Sequence, residues 1–98
     1  MSNHFPNSLQ LKVIAENKLV TEKKVKEISL PSFNGYLGIL PGHRPLVVSL
    51  GKGPISYKYE KKEGSISISG GYAEILPERV LVFAELKEDE NRKREQKG

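Results

Sequence analysis

A chain of 98 residues and 11.0 kDa has room for one domain around one hydrophobic core, and 37% hydrophobic residues plus nine glycines are enough to build it. The net charge of +4, from 16 basic and 12 acidic side chains, is too small an excess to argue for a nucleic-acid partner by itself. The lack of cysteine excludes disulfide scaffolds, zinc ribbons and thiol nucleophiles, two histidines (His4 and His43) cannot make a histidine-rich metal centre, and a single aspartate, Asp89, leaves no plausible Ser-His-Asp triad.

Met1 to Pro6 lacks the basic start and apolar stretch of a secretory signal, and no run approaches the roughly 18 apolar residues that cross a bilayer. The expectation is a chain that starts here, on the cytoplasmic side, without direct membrane insertion. Leu9, Leu11 and Val13 then alternate with Gln10 and Lys12, the period of a half-buried strand. Lys18, Lys23, Lys24 and Lys26 follow, interleaved with Glu16, Glu22 and Glu27, and Lys58, Lys61 and Lys62 are likewise mixed with Glu60 and Glu63. Such a mixed-sign set reads better as a solvated edge that blocks strand-to-strand association than as a track for nucleic acid. Ile28 and Leu30, then Ile55, Tyr57 and Tyr59, then Ile66 and Ile68 between serines continue the alternation. Tyr72 to Leu76 and Val80 to Ala84 are denser in apolar residues, as strands with both faces covered would be. Asn34-Gly35, Pro41-Gly42, Gly51 to Pro54, Lys61 to Gly64, Gly70-Gly71 and Pro77-Glu78 supply the turns. Eight to ten short strands with this punctuation predict an antiparallel sandwich or barrel over residues 1–86. Residues 87–98 hold five basic, four acidic and no apolar side chains, and are expected to form a frayed helix or a disordered tail.

The densest unusual stretch runs from Gly35 to Leu46, with three glycines and two prolines among large apolar residues. It reads either as a stiff crossover between sheets or as a shaped recognition loop. Gly51-Lys52-Gly53 lacks the upstream glycine spacing and following helix of a phosphate loop, so it reads as a hairpin or corner turn. His43 beside Arg44 has no acid evidently placed to orient it, which favours a loop imidazole bonded to local backbone over a catalytic pair. No set of polar residues amounts to an active site, and no cofactor or metal is expected.

Gly35-x-Leu37-Gly38-Ile39-Leu40-Pro41-Gly42-His43-x-Pro45-Leu46 closely resembles the signature loop of the epsilon subunits of F-type ATP synthases, in their amino-terminal sandwich. Leu9 to Ile14, Val25 to Leu30 and Ser69-Gly70-Gly71-Tyr72-Ala73-Glu74-Ile75 fall in the order that family shows, so the likeness covers nearly all of residues 7–86. The resemblance implies a ten-stranded antiparallel β-sandwich of two five-stranded sheets, without chemistry of its own. Such a domain clamps the gamma subunit and rests on the c-ring, on the cytoplasmic face of the bacterial inner membrane, coupling proton flow to ATP synthesis. It implies that Gly35, Tyr36 and Leu37 face the c-ring, that Ala15, His43 and Val48 meet gamma, and that Gly35, Gly38, Pro41, Gly42, Pro45, Gly70 and Gly71 set loop shape. Tyr36 stands where relatives often carry an acid, so an aromatic anchor would replace a charge-paired contact to the ring. Many relatives continue into an inhibitory two-helix hairpin, some binding ATP at an Asp-x-x-Arg-Ala element. Here Asp89 and Arg92 keep that spacing but Lys93 replaces the alanine and six residues remain, so neither ATP sensing nor hairpin-type inhibition is expected. The competing reading is an independent small basic sandwich that binds a ligand or nucleic acid.

Overall fold

The computed structural model of the chain describes residues 6–86, and every regular element in them is a β-strand. In chain order these are β1 (Leu9–Ala15), β2 (Lys18–Val25), β3 (Glu27–Ser32), β4 (Gly35–Ile39), β5 (Leu46–Leu50), β6 (Gly53–Tyr59), β7 (Lys62–Leu76) and β8 (Arg79–Leu86). The expected tail, with Asp89, Arg92 and the Glu90–Arg94 pair, lies outside the described residues.

Strand pairing gives two layers. One has the order β2-β1-β8-β7-β5, and the other holds β4, β3, β6 and again β7. The long β7 belongs to both: Lys62 to Ile68 pair with β6, and from Gly70 onward the strand pairs with β8, Gly71 to Ile75 also pairing with β5. The all-β sandwich is therefore as expected, with a different count. The first sheet has five strands and the second four, and Ile66-Ile68 and Tyr72-Leu76 are two halves of one strand. The stretch from Leu40 to Pro45 is unpaired as a strand, in keeping with the ladder donors that Pro41 and Pro45 lack. The pairings are antiparallel except β1 with β8, which is parallel.

Alternation decides what faces inward. Leu9, Leu11, Val13, Ala73, Ile75, Val80 and Val82 of the first sheet pack in one core with Ile28, Leu30, Ile39, Ile55, Tyr57 and Ile68 of the second. No polar or charged side chain is buried among the described residues, so the core is held by apolar burial alone. Burial, and then the neighbouring Tyr59, push the Tyr57 hydroxyl above its ordinary range, which keeps it neutral near physiological pH. Leu11 is completely buried, and Leu11→Ala is expected to destabilise the domain by about 2–5 kcal/mol in urea unfolding.

The turns are equally local. Glu16 (φ 54°) and Asn17 (φ 63°) are both left-handed between β1 and β2, the geometry of a two-residue hairpin turn. Gly51-Lys52 carries the chain from β5 in one sheet to β6 in the other, a corner turn rather than a hairpin.

Candidate subunit interface

The two outer faces of the sandwich differ sharply. On the second sheet the cross-strand row Gly38–Ser29–Ser56–Ser65 is small and polar, and the row beside it is Glu27–Lys58–Glu63. On the first sheet the corresponding row is Ser49–Tyr72–Phe83–Ile14–Leu19, followed by Val47–Glu74–Leu81–Lys12–Glu22. The Tyr72 and Phe83 rings stack at 5.0 Å. Val47 is 67% exposed, Leu19 54% and Tyr72 48%, large apolar areas on a domain whose core is already complete without them. Hollows of about 280 Å³ beside Ile14, Tyr72 and Phe83 and about 290 Å³ beside Pro45, Leu46 and Val47 give this face relief. At its far edge Glu22 is engaged by Lys12 at 3.8 Å and accepts a hydrogen bond from the Gln10 amide at 3.1 Å.

Strand phase sorts the residues expected at the gamma side. Ala15 is in phase with Leu9, Leu11 and Val13, and at 3% exposure its side chain is in the interior. The outward residue at that point of β1 is Ile14, opposite Phe83. Val48 likewise packs against the core, and its neighbour Val47 is the one turned out. The Ala15 side chain is therefore enclosed, and that of Val48 is turned inward and only partly exposed. His43 is partly exposed in the connection entering β5. Its backbone N–H donates to the Leu40 carbonyl at 3.1 Å and its Nδ1 donates to the Arg44 carbonyl at 2.7 Å, the local bonding favoured from the sequence.

The residues expected at the ring lie at the end of the sandwich where Leu50 pairs with Gly71 and bridges to Ser32, the end of Ala15 but not of His43. Gly35 and Tyr36 are exposed at the start of β4, whereas Leu37 is half-buried against the core. Among the residues expected to shape the loop, Gly42 (φ 90°) donates its N–H to the Pro77 carbonyl at 2.7 Å, and Gly70 and Gly71 sit where β7 changes sheets. Pro41 is partly exposed and Pro45 exposed. Gly38 belongs instead to an edge strand, and a Cβ there would meet nothing within 4 Å, so its expected role in loop shape has no steric basis.

The lysine cluster divides. Lys18, Lys23 and Lys24 lie on the edge strand β2, as a protective edge requires, but Lys58 lies on β6, which is paired on both sides. Lys23 reaches across to the Tyr59 ring at 5.0 Å. Among the described residues no group of three or more His, Cys, Asp or Glu side chains converges.

Residues 8–89 match the family model of the ATP synthase delta/epsilon chain beta-sandwich domain. The chain belongs to that family. Curated relatives of this delta/epsilon sandwich include the ATP synthase epsilon chains of Koribacter versatilis, 37% identical over 84% of this chain, and of Prochlorococcus marinus, 41% identical over 78%. The chain spans 58% and 57% of the length of those two proteins. Its fold is that of a chain in the Euglena gracilis mitochondrial ATP synthase, OSCP/F1/c-ring, with a TM-score of 0.80 at 21% identity, covering 98% of this chain and 65% of that one. A chain of the Tetrahymena thermophila mitochondrial ATP synthase central stalk and c-ring matches with a TM-score of 0.66 at 11% identity, over 84% of this chain and 66% of that one. The outward residues of this face are Ile14, Val47, Tyr72 and Phe83, and the apolar density of β7 and β8, expected from sequence to mean two covered faces, belongs to strands of which the chain covers only one.

Proposed function

We propose that this domain is a non-catalytic epsilon-type subunit of a proton-translocating F-type ATP synthase, in the central stalk on the cytoplasmic face of the bacterial inner membrane. Its first-sheet outer face binds the gamma subunit through Ile14, Val47, Tyr72 and Phe83, with His43 at the margin. Its end at the Gly70-Gly71 corner, with Gly35 and Tyr36 outermost and Leu37 behind them, rests on the c-ring, and the two contacts together couple proton flow to ATP synthesis. The observation that carries this reading is the second apolar surface. A completed core leaves Val47, Tyr72 and Leu19 exposed together on the outer face of the first sheet, whereas the second sheet's outer face is serine-rich, with Tyr36 at the end assigned to the ring, so a single large partner is accounted for on the first side. Membership of the delta/epsilon sandwich family, and the central-stalk setting of a structural neighbour, support gamma as that partner. The alternative, a nucleic-acid or ligand module, has less to rest on, because Glu27 and Glu63 flank Lys58 directly across the strands and Lys12, on the face of the stacked Tyr72–Phe83 pair, is engaged by Glu22.

Reconstitution tests the reading. The chain should co-purify with gamma from the same organism, and adding it to a complex lacking its own epsilon subunit should restore proton-driven ATP synthesis. The same preparations test whether hydrolysis is left without hairpin-type inhibition. Lack of gamma binding at micromolar concentration would remove the proposal.

A further inference from the structure

The sandwich end assigned above to the ring carries two exposed aromatic side chains, and the corner turn beside them explains how they are held. Phe33, at the tip of the β3–β4 hairpin, is 77% exposed, and Tyr36 is 59% exposed. The Phe33 ring reaches Gly51, with Cδ1 3.7 Å from where a Cβ would stand, and the Tyr36 hydroxyl reaches Gly53, 2.8 Å from the corresponding point. Both rings thus lie over the Gly51-Lys52-Gly53 turn, where a side chain on Gly53 would displace Tyr36 and one on Gly51 would meet Phe33 in ordinary contact. The hairpin tip is pinned as well. The Ser32 hydroxyl donates to the Gly35 carbonyl at 2.5 Å and accepts from the Asn34 N–H at 3.3 Å, and the Gly51 N–H donates to the Pro31 carbonyl at 2.9 Å. Between the two glycines stands Lys52, the sole charged side chain in residues 31–36 and 50–54.

We propose that Phe33, Tyr36 and Lys52 form one preorganised aromatic and cationic platform that docks an electronegative polypeptide turn of the c-ring. The proposal rests on the ring-facing reading above and specifies its chemistry. Rings fixed before binding lose little freedom on contact, which is why exposed, seated aromatics serve as anchors. With no acid in the tip, Lys52 is complementary to carboxylates or unpaired carbonyls of the partner turn, while the rings take its apolar part. This sign is opposite to that of a tip carrying an acid at position 36.

The test uses the full chain and detergent-solubilised c-rings from the same organism. Phe33→Ser and Tyr36→Ser should each weaken binding about tenfold, with thermal midpoints unchanged because both side chains are exposed. Lys52→Gln should weaken binding and remove its dependence on salt. Wild-type affinity in Phe33→Ser and Lys52→Gln would overturn the platform while leaving the ring-facing reading in place. Tighter binding by Lys52→Glu would overturn the electronegative assignment. Rings that do not bind the unaltered chain would overturn the ring-facing reading and the platform's occupant with it.

Discussion

Gly71→Ala is expected to abolish the native sandwich or to cost it at least about 3 kcal/mol. A Cβ at this position would stand 2.1 Å from the Phe83 carbonyl oxygen, 2.9 Å from the Ala84 Cα and 3.1 Å from the Phe83 carbonyl carbon. All three are backbone atoms of the neighbouring strand, so no side chain can rotate away to make room. The φ of 132° adds a conformation that L-residues rarely adopt. The damage would not stay local, because Gly71 pairs with both Ala84 and Leu50 where β7 leaves one sheet for the other. Far-UV circular dichroism and urea unfolding should show it directly. Gly38→Ala is the contrast, since its Cβ would have open space and an ordinary φ, and it should lie within about 0.5 kcal/mol of the parent. Two glycines of equal prominence in the sequence would then be separated by backbone approach alone.

The second large effect concerns binding rather than folding. The pair Val47→Asp and Tyr72→Asp should weaken the complex with gamma about a hundredfold or more, while the thermal midpoint falls by only several degrees. Both side chains are substantially exposed, so the losses within the domain are the Tyr72 stack on Phe83 and a carboxylate at 47 opposite Glu74. A docked partner, however, would have to bury two carboxylates in an apolar contact, and unpaired buried charge is strongly unfavourable. A conservative pair, Val47→Leu with Tyr72→Phe, should bind close to the parent, and Ser56→Asp on the opposite outer face should have no effect. Equal affinity for the aspartate pair and the parent, measured by calorimetry or surface plasmon resonance, would refute the assignment of this face.

Strand phase explains what could and could not be read from the residues. The period-two runs around Leu9, Ile28, Ile55, Ile66 and Val80 mark strands because one face of each is buried by the chain itself, and all of them form. The continuity of β7 is hidden, since Gly70-Gly71 carries the composition of a turn but here bends a strand between sheets while keeping it paired. Strand β2 is hidden for a different reason. As an edge strand it is solvated on most of its length, and only Val25 is buried. Orientation at Ala15 and Val48 is likewise not recorded in a motif: one residue along a strand reverses the side chain, and at these points Ile14 and Val47 have the outward phase. Phe33 lies against Gly51, far from it in sequence, and no local pattern records that approach.

That β7 runs through both layers also bears on how the domain would carry load. An apolar interface between two sheets resists separation well but resists sliding poorly, because dispersion and burial have no preferred direction within the plane. Here the layers are joined by an uninterrupted covalent strand at Gly70-Gly71, and the Gly51-Lys52 corner makes a second such link at the same end of the molecule. A tangential force applied to one outer face therefore reaches the other through peptide bonds. The β2–β3 and β4–β5 connections cross between the layers at the opposite end, so the core is bracketed by covalent links and sliding of one sheet over the other is resisted at both ends.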